Sequence, residues 1–164
     1  MRVLIVIEAT IGGTRRHVVD LARGLVARGV DVTLASSMRR DPGYPADVAA
    51  LAREGVRCVE VPMVRSIRPA RDLADLRALA RLIRSVGPQV VHTHSSKAGV
   101  LGRLAALDAG VPAVHTPHTF AFLFQSEFGS LRRALFRQLE ATLGGSTAAL
   151  VATPAGHWHE YGAL

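Results

Sequence analysis

The sequence predicts an α/β fold: a Rossmann-like three-layer sandwich around a mostly parallel six-stranded sheet. Three observations carry this. The chain has 164 residues, 49% of them apolar, which suits one domain with a real core. Short apolar runs alternate with longer segments of helical spacing, the pattern of a parallel sheet covered on both faces. The first run, Val3–Ile7, is apolar without interruption, as a strand buried on both faces requires.

The elements follow in order. Val3–Ile7 is the first strand; it is too short for a signal-peptide core, and no small-residue cleavage site follows it. Thr14–Arg28 places Val18, Leu21, Ala22 and Leu25 at helical spacing, and Gly29 stops it. Val30–Ala35 is a second strand, Pro42–Pro45 a loop, Ala46–Glu54 a short helix and Val56–Val61 a third strand. Arg65–Pro69 links to a long helix, Ala70–Val86, with Leu73, Leu76, Leu79, Ala80 and Ile83 on one face and Gly87-Pro88 at its end. Gln89–Thr93 is the fourth strand, Lys97–Ala109 a helix, and Ala113–Thr116 the fifth strand. A Phe-rich loop leads to a helix over about Leu131–Leu143. Ala148–Ala152 is the sixth strand, and the last residues begin another helix. Two βαβαβ halves predict the strand order 3-2-1-4-5-6, whose switch point lies between strands 1 and 4. The loops Glu8–Thr14, His94–Lys97 and Pro117–Phe128 should therefore converge.

Formal charge is +7, from nineteen Arg and one Lys against thirteen acids. Such a balance fits phosphate-bearing substrates, an anionic membrane or nucleic acid. No zinc-finger, RNP or basic-zipper pattern is present, so nucleic acid is set aside. No apolar run reaches the length of a membrane span. The single cysteine, Cys58, reads as a small core residue, and the absence of an export signal favours the cytoplasm.

Four clusters carry chemistry. Gly12-Gly13 follows strand 1 and opens a helix, where the backbone can approach a phosphate; the alternative is a tight turn. The loop lacks G-x-G-x-x-G, which argues against NAD. Ser95 or Ser96 suits an N-cap. Lys97, the sole lysine, stands in a first helical turn against the helix dipole, either as a ligand contact or as a solvated charge. Four of seven histidines lie in "VVHTHSSKAG" and "VHTPHTF". His92 and His115 lie inside strands and read as core; His94 ends its strand facing the crevice; His118, beyond the strand end, stands where a reacting group would sit. Catalytic zinc takes three protein ligands and an open position, and no carboxylate stands near either pair, so no metal is expected. Phe120, Phe122, Phe124 and Phe128 form an apolar segment that packs under the next helix, binds an apolar acceptor or touches a membrane, with Arg132, Arg133 and Arg137 suited to headgroups.

Together these pieces resemble the N-terminal domain of glycosyltransferase family 4, a retaining group with the GT-B fold. The paired glycines of "GGTRRHVVDLARGLVARGVDVTLAS", the H-x-H-S-x-K-A-G run and the H-T-x-H-x-F run occur in the family's order, over nearly the whole chain. The resemblance implies that residues 1–164 form the acceptor-side half of a two-domain enzyme with a nucleotide-sugar donor, and that no metal or other cofactor is needed. It implies donor-phosphate contact at Gly12 and Gly13, a catalytic His118 beside the transferred sugar, and acceptor contact at Lys97 and Thr119; His94, Ser95 and Phe120, beside them in the sequence, are expected to bind the acceptor as well. The acceptor would be a saccharide or lipid-linked, and the enzyme cytoplasmic, with peripheral contact at the inner face of an anionic membrane. The family's donor motif, two glutamates separated by seven residues, is absent, and Thr153-Pro154 stands where relatives often have a serine before a non-proline residue. The chain is therefore expected to need a C-terminal donor-binding domain and to be inactive alone. Two rivals are a GT-B nucleotide-sugar epimerase and a non-catalytic subunit that binds acceptor or membrane and recruits a donor-binding chain.

Overall fold

The computed structural model describes residues 1–118 and 129–151. Strands β1 (Arg2–Ile7), β2 (Asp31–Ser36), β3 (Arg57–Glu60), β4 (Val90–His94), β5 (Ala113–Thr116) and β6 (Ala149–Leu150) alternate with helices α1 (Gly12–Val26), α2 (Tyr44–Arg53), α3 (Pro69–Val86), α4 (Ser96–Asp108) and α5 (Ser130–Gly144). The sheet order is β3-β2-β1-β4-β5-β6 and every pairing is parallel, as the sequence predicts.

Two apolar layers hold the sheet. On one face, Leu4, Val6, Val91 and Ala113 pack with Leu79, Ile83, Leu101 and Ala105 of α3 and α4. On the other, Val3, Ile5, Ile7 and Leu34 pack with Val18, Val19 and Ala22 of α1 and Val48 and Leu51 of α2. Leu4, Ile5, Ile7 and Leu34 are fully buried, each contributing about 1.5–3 kcal/mol of transfer free energy.

Element ends differ from expectation by one or two residues for local reasons. Helix α1 begins at Gly12, because Gly12 takes a left-handed φ of +54° that turns the chain directly into the helix. Helix α2 begins at Tyr44 and α3 at Pro69, because prolines at their starts lack an N–H that no helical bond would use. Gly87 ends α3 with φ +57°.

Helix α4 lies unusually close to the sheet. A Cβ on Gly99 would come within 2.4 Å of His115 Cε1, and one on Gly102 within 2.5 Å of Thr93 Cγ2. These glycines let the helix bury Arg103, whose guanidinium pairs with Glu140 of α5 at 2.6 Å while its Nε donates to the Gly99 carbonyl. Among the described residues no helix is long and apolar enough to cross a membrane.

Register sets where the site can form. Ile7 pairs with Ser36 and His94, and His94 pairs with Thr116. The carboxyl ends of β1, β4 and β5 are thus level, and the loops after them leave one edge of the sheet together.

Candidate functional site

A cavity of about 500 Å³ lies at that edge. Glu8, Ala9 and Thr14 line it after β1, Ser95, Ser96 and Lys97 after β4, and Pro117 and His118 after β5. Val100, Leu101, Phe136 and Leu139 give it an apolar wall from α4 and α5. The first two expected loops and the start of the third, Pro117 and His118, therefore converge.

The individual residues differ from their sequence readings in detail. His118 lines the cavity with a left-handed φ of +59°. Its Nε2 is 3.2 Å from His94 Nδ1, so one of the two rings donates to the other. His94 does not face the crevice: its ring is fully buried beneath His118 and does not line the cavity. The strand end points the side chain inward, where the rings of His92 and His17 stand 4.2 and 5.6 Å away, centroid to centroid. Burial, reinforced by neighbouring histidines, drives His94 well below the ordinary imidazole range and His118 down to about 4. Both rings are neutral at pH 7, so His118 offers hydrogen bonds and not a positive charge.

Lys97 is not a solvated charge. Its side chain is 10% exposed, with Nζ 2.7 Å from Asp72 Oδ1 and donating to the Ser66 carbonyl. This pair offsets the unfavourable placement of a cation at a helix N-terminus. Ser95 is buried at the start of α4, with φ +65° and ψ 168°. Gly12 and Gly13 do not line the cavity, although the next residue, Thr14, does. A Cβ on either would meet nothing within 4 Å, so the space beside the first turn of α1 is open. The first N–H groups of that turn lack intrahelical acceptors, and no acidic side chain occupies it. Thr119 and Phe120, with the rest of the apolar segment through Phe128, lie outside the described residues.

His92 and His115 are structural, as read. His92 Nε2 is 2.9 Å from Thr116 Oγ1, and His115 Nδ1 is 2.9 Å from Thr93 Oγ1. Sequence reasoning missed His17, whose ring meets His118 edge-on at 5.0 Å. Its signal was available: it stands one helical turn after Gly13, on the helix that leaves the glycine pair. It also missed the ion pair between buried Glu8 and Arg40, at 3.0 Å, on the cavity wall.

An all-parallel sheet whose loops meet at a switch point defines a Rossmann-like domain. The sequence matches glycosyltransferase family 4 over residues 11–156, and the chain belongs to that family. It is 48% identical over 71 residues to the UDP-Gal:alpha-D-GlcNAc-diphosphoundecaprenol alpha-1,3-galactosyltransferase of Escherichia coli, a match covering 42% of this chain and 18% of that protein. It is 33% identical over 116 residues to the D-inositol 3-phosphate glycosyltransferase of Acidothermus cellulolyticus, covering 67% of this chain and 26% of that one. The chain thus spans about a quarter or less of these relatives. In fold it resembles HepE of Anabaena, solved with UDP and glucose (TM-score 0.65, 14% identity, 92% of this chain and 37% of that one). A UDP-N-acetylglucosamine 2-epimerase shares the fold as well (TM-score 0.62, 16% identity, 93% and 41%).

Proposed function

We propose that this chain is the acceptor-side, N-terminal domain of a retaining glycosyltransferase that moves a sugar from a nucleotide-sugar to a saccharide or lipid-linked acceptor. A C-terminal domain would hold most of the nucleotide, and this domain alone would not catalyse transfer. The observation that carries the reading is the cavity at the switch point, where the loops after β1, β4 and β5 meet with His118 on the wall. Its apolar side suits an acceptor with a lipid portion, and both curated relatives are named for acceptors that carry phosphate. The apolar wall also favours transfer over epimerisation, which needs no acceptor.

The chemistry follows from the parts. As the sugar–phosphate bond breaks, negative charge grows on the departing diphosphate. The open first turn of α1 presents backbone N–H groups to that charge, already oriented by the helix. These dipoles, with cationic side chains of the second domain, make a metal unnecessary for transfer. Neutral His118 orients the sugar by a hydrogen bond, and Ser95, Lys97, Thr119 and Phe120 are the proposed acceptor contacts. Such an enzyme would act in the cytoplasm, held peripherally at the membrane by α5, where Leu131 and Leu135 are 83% and 56% exposed beside Arg133.

Two substitutions in the enzyme containing this domain test the reading. Gly13→Val fills space that is open in the structure, so the fold should persist while donor use weakens. His118→Ala should leave the melting curve and nucleotide affinity nearly unchanged and lower turnover by roughly 10²–10³, as loss of a positioned transition-state donor does. Transfer by His118→Ala at the wild-type rate would remove His118 from the reaction centre.

A further inference from the structure

We propose that His17, His94 and His118 form a binding site for a borderline-soft divalent metal ion of the Zn²⁺ and Co²⁺ class, and that a metal held there excludes a sugar held by His118. The second half rests on the function proposed above; the first does not.

One imidazole nitrogen from each of the three rings lies within 4.8 Å of the other two. His94 Nδ1 and His118 Nε2 are 3.2 Å apart. Two nitrogens bound to one tetrahedral zinc at 2.0–2.1 Å stand about 3.4 Å apart, so this pair already has the spacing of two ligands. The third nitrogen, on His17, lies within 4.8 Å of both, so the His17 ring moves to complete the set. The rings come from three elements fixed by separate parts of the fold: α1, the end of β4, and the turn after β5. His94 is fully buried, while His17 and His118 are half-buried, and His118 lines the cavity and gives an ion access from that side. A fourth ligand, a water, would come from the cavity that His118 lines.

The donor set decides the class of ion. Three imidazoles without a carboxylate suit Zn²⁺, Co²⁺, Ni²⁺ and Cu²⁺ and disfavour Mg²⁺, Ca²⁺ and Mn²⁺. His92 stands outside the set because its Nε2 is engaged with Thr116. Binding moves the proton now shared between His94 and His118 off the bridging position. When Nδ1 of His94 ligates, that ring's Nε2 carries its proton, and Nε2 is buried with no hydrogen-bond partner among the described residues. Structural zinc histidines donate that proton to a carbonyl or carboxylate. The site is therefore weaker than a structural zinc centre, and its occupancy is reversible.

Cobalt titration of the metal-free chain tests this without any sugar. The expected result is the visible absorption of tetrahedral Co²⁺, saturating at one ion per chain, abolished by Zn²⁺ and untouched by Mg²⁺. His17→Gln and His118→Gln should each weaken binding by at least about tenfold. His92→Gln, and a variant carrying His157→Gln with His159→Gln, should retain it. Zinc should raise the melting temperature of the wild type but not of His17→Gln. The site is overturned if no such absorption develops, if both single variants bind like wild type, or if the signal disappears with His157 and His159. The exclusion is read separately, in the enzyme containing this domain, where zinc should inhibit transfer competitively with the donor sugar. Cobalt binding on the three histidines together with zinc-insensitive transfer would overturn the exclusion alone.

Discussion

Ser95 and His118 are the residues other than glycine that take a left-handed φ among the described residues, and both line the cavity. Ser95 combines φ +65° with ψ 168°, a region that is essentially glycine's, at a cost of about 1–3 kcal/mol. Its amide donates to the Thr116 carbonyl, and its carbonyl receives the Gly99 amide, which locks the conformation between β5 and α4. Its Oγ is buried without a hydrogen-bond partner among the described residues. An unpaired hydroxyl on a strained turn at the cavity wall supports the acceptor contact proposed for Ser95. Ser95→Gly should then separate stability from activity. Relief of strain should raise the melting temperature of the chain, while loss of the hydroxyl should raise the acceptor KM of the enzyme containing it. A melting temperature that falls would show that the turn is unstrained, and an unchanged KM would take Ser95 out of the acceptor site. The serine itself was legible beside His94 and Lys97, but the strain was not, because it arises where two loops meet. Lys97 gave the same lesson. Its singularity stood out in the sequence, while its partner Asp72 is twenty-five residues earlier on another helix.

Helix α4 is the element on which the cavity depends, since it supplies both Lys97 and part of the apolar wall. It approaches the sheet through Gly99 and Gly102. Gly99→Ala would drive a methyl group into the His115 ring, and Gly102→Ala into Thr93. Each should destabilise the domain by about 1–3 kcal/mol in urea unfolding, the usual cost of overpacking a tight contact. Stability equal to wild type would mean that α4 can shift away from the sheet freely. Behind the helix, Arg103 and Glu140 are 2% and 6% exposed. Glu140→Leu leaves the guanidinium buried without its carboxylate, and should cost roughly 3–5 kcal/mol. The double change Arg103→Met with Glu140→Leu should recover most of that loss. If single and double variants are equally unstable, the cost does not come from leaving the Arg103 guanidinium unpaired. The elements themselves were legible because hydrophobic spacing and glycine or proline stops are local. The close approach of α4 was not, since a glycine in a helical pattern looks the same whether it packs against a ring or faces water. Nothing in the sequence sets Arg103 apart from the other arginines of an arginine-rich chain.

At the scale of the whole molecule, the strand order was legible because two βαβαβ units joined by a linker leave few ways to build a parallel sheet. That order puts β4 at the centre beside β1, with β5 next to it, and carries with them a line of histidines into the interior, which no local pattern announces. The burial of these rings makes the stability of the molecule depend on pH. His115 is fully buried; desolvation, together with the nearby Arg103 charge and only partly opposed by its hydrogen bond to the Thr93 carbonyl, pushes its imidazole down to about 3. His92 is pushed down to about 4, again chiefly by burial. In the unfolded chain both titrate near 6.5. Between those values the unfolded state binds protons that the native state does not. The stabilisation is therefore fully present above about pH 6.5 and is lost as pH falls toward the native values. For His115 alone the loss at pH 5 is about 2 kcal/mol, a sizeable part of the 5–15 kcal/mol that holds an ordinary domain. Urea unfolding of the metal-free chain should give a plateau between pH 7 and 8 and a clear fall by pH 5. His115→Gln, which keeps a polar group near Thr93 but cannot titrate, should flatten that fall by about the same 2 kcal/mol, whatever its own stability at pH 7.5. An equal fall in wild type and His115→Gln would mean that the ring is protonated in the folded protein as readily as in the unfolded one. The interior would then admit a charge between β4 and β5, and water would have to reach His115 past Gly99.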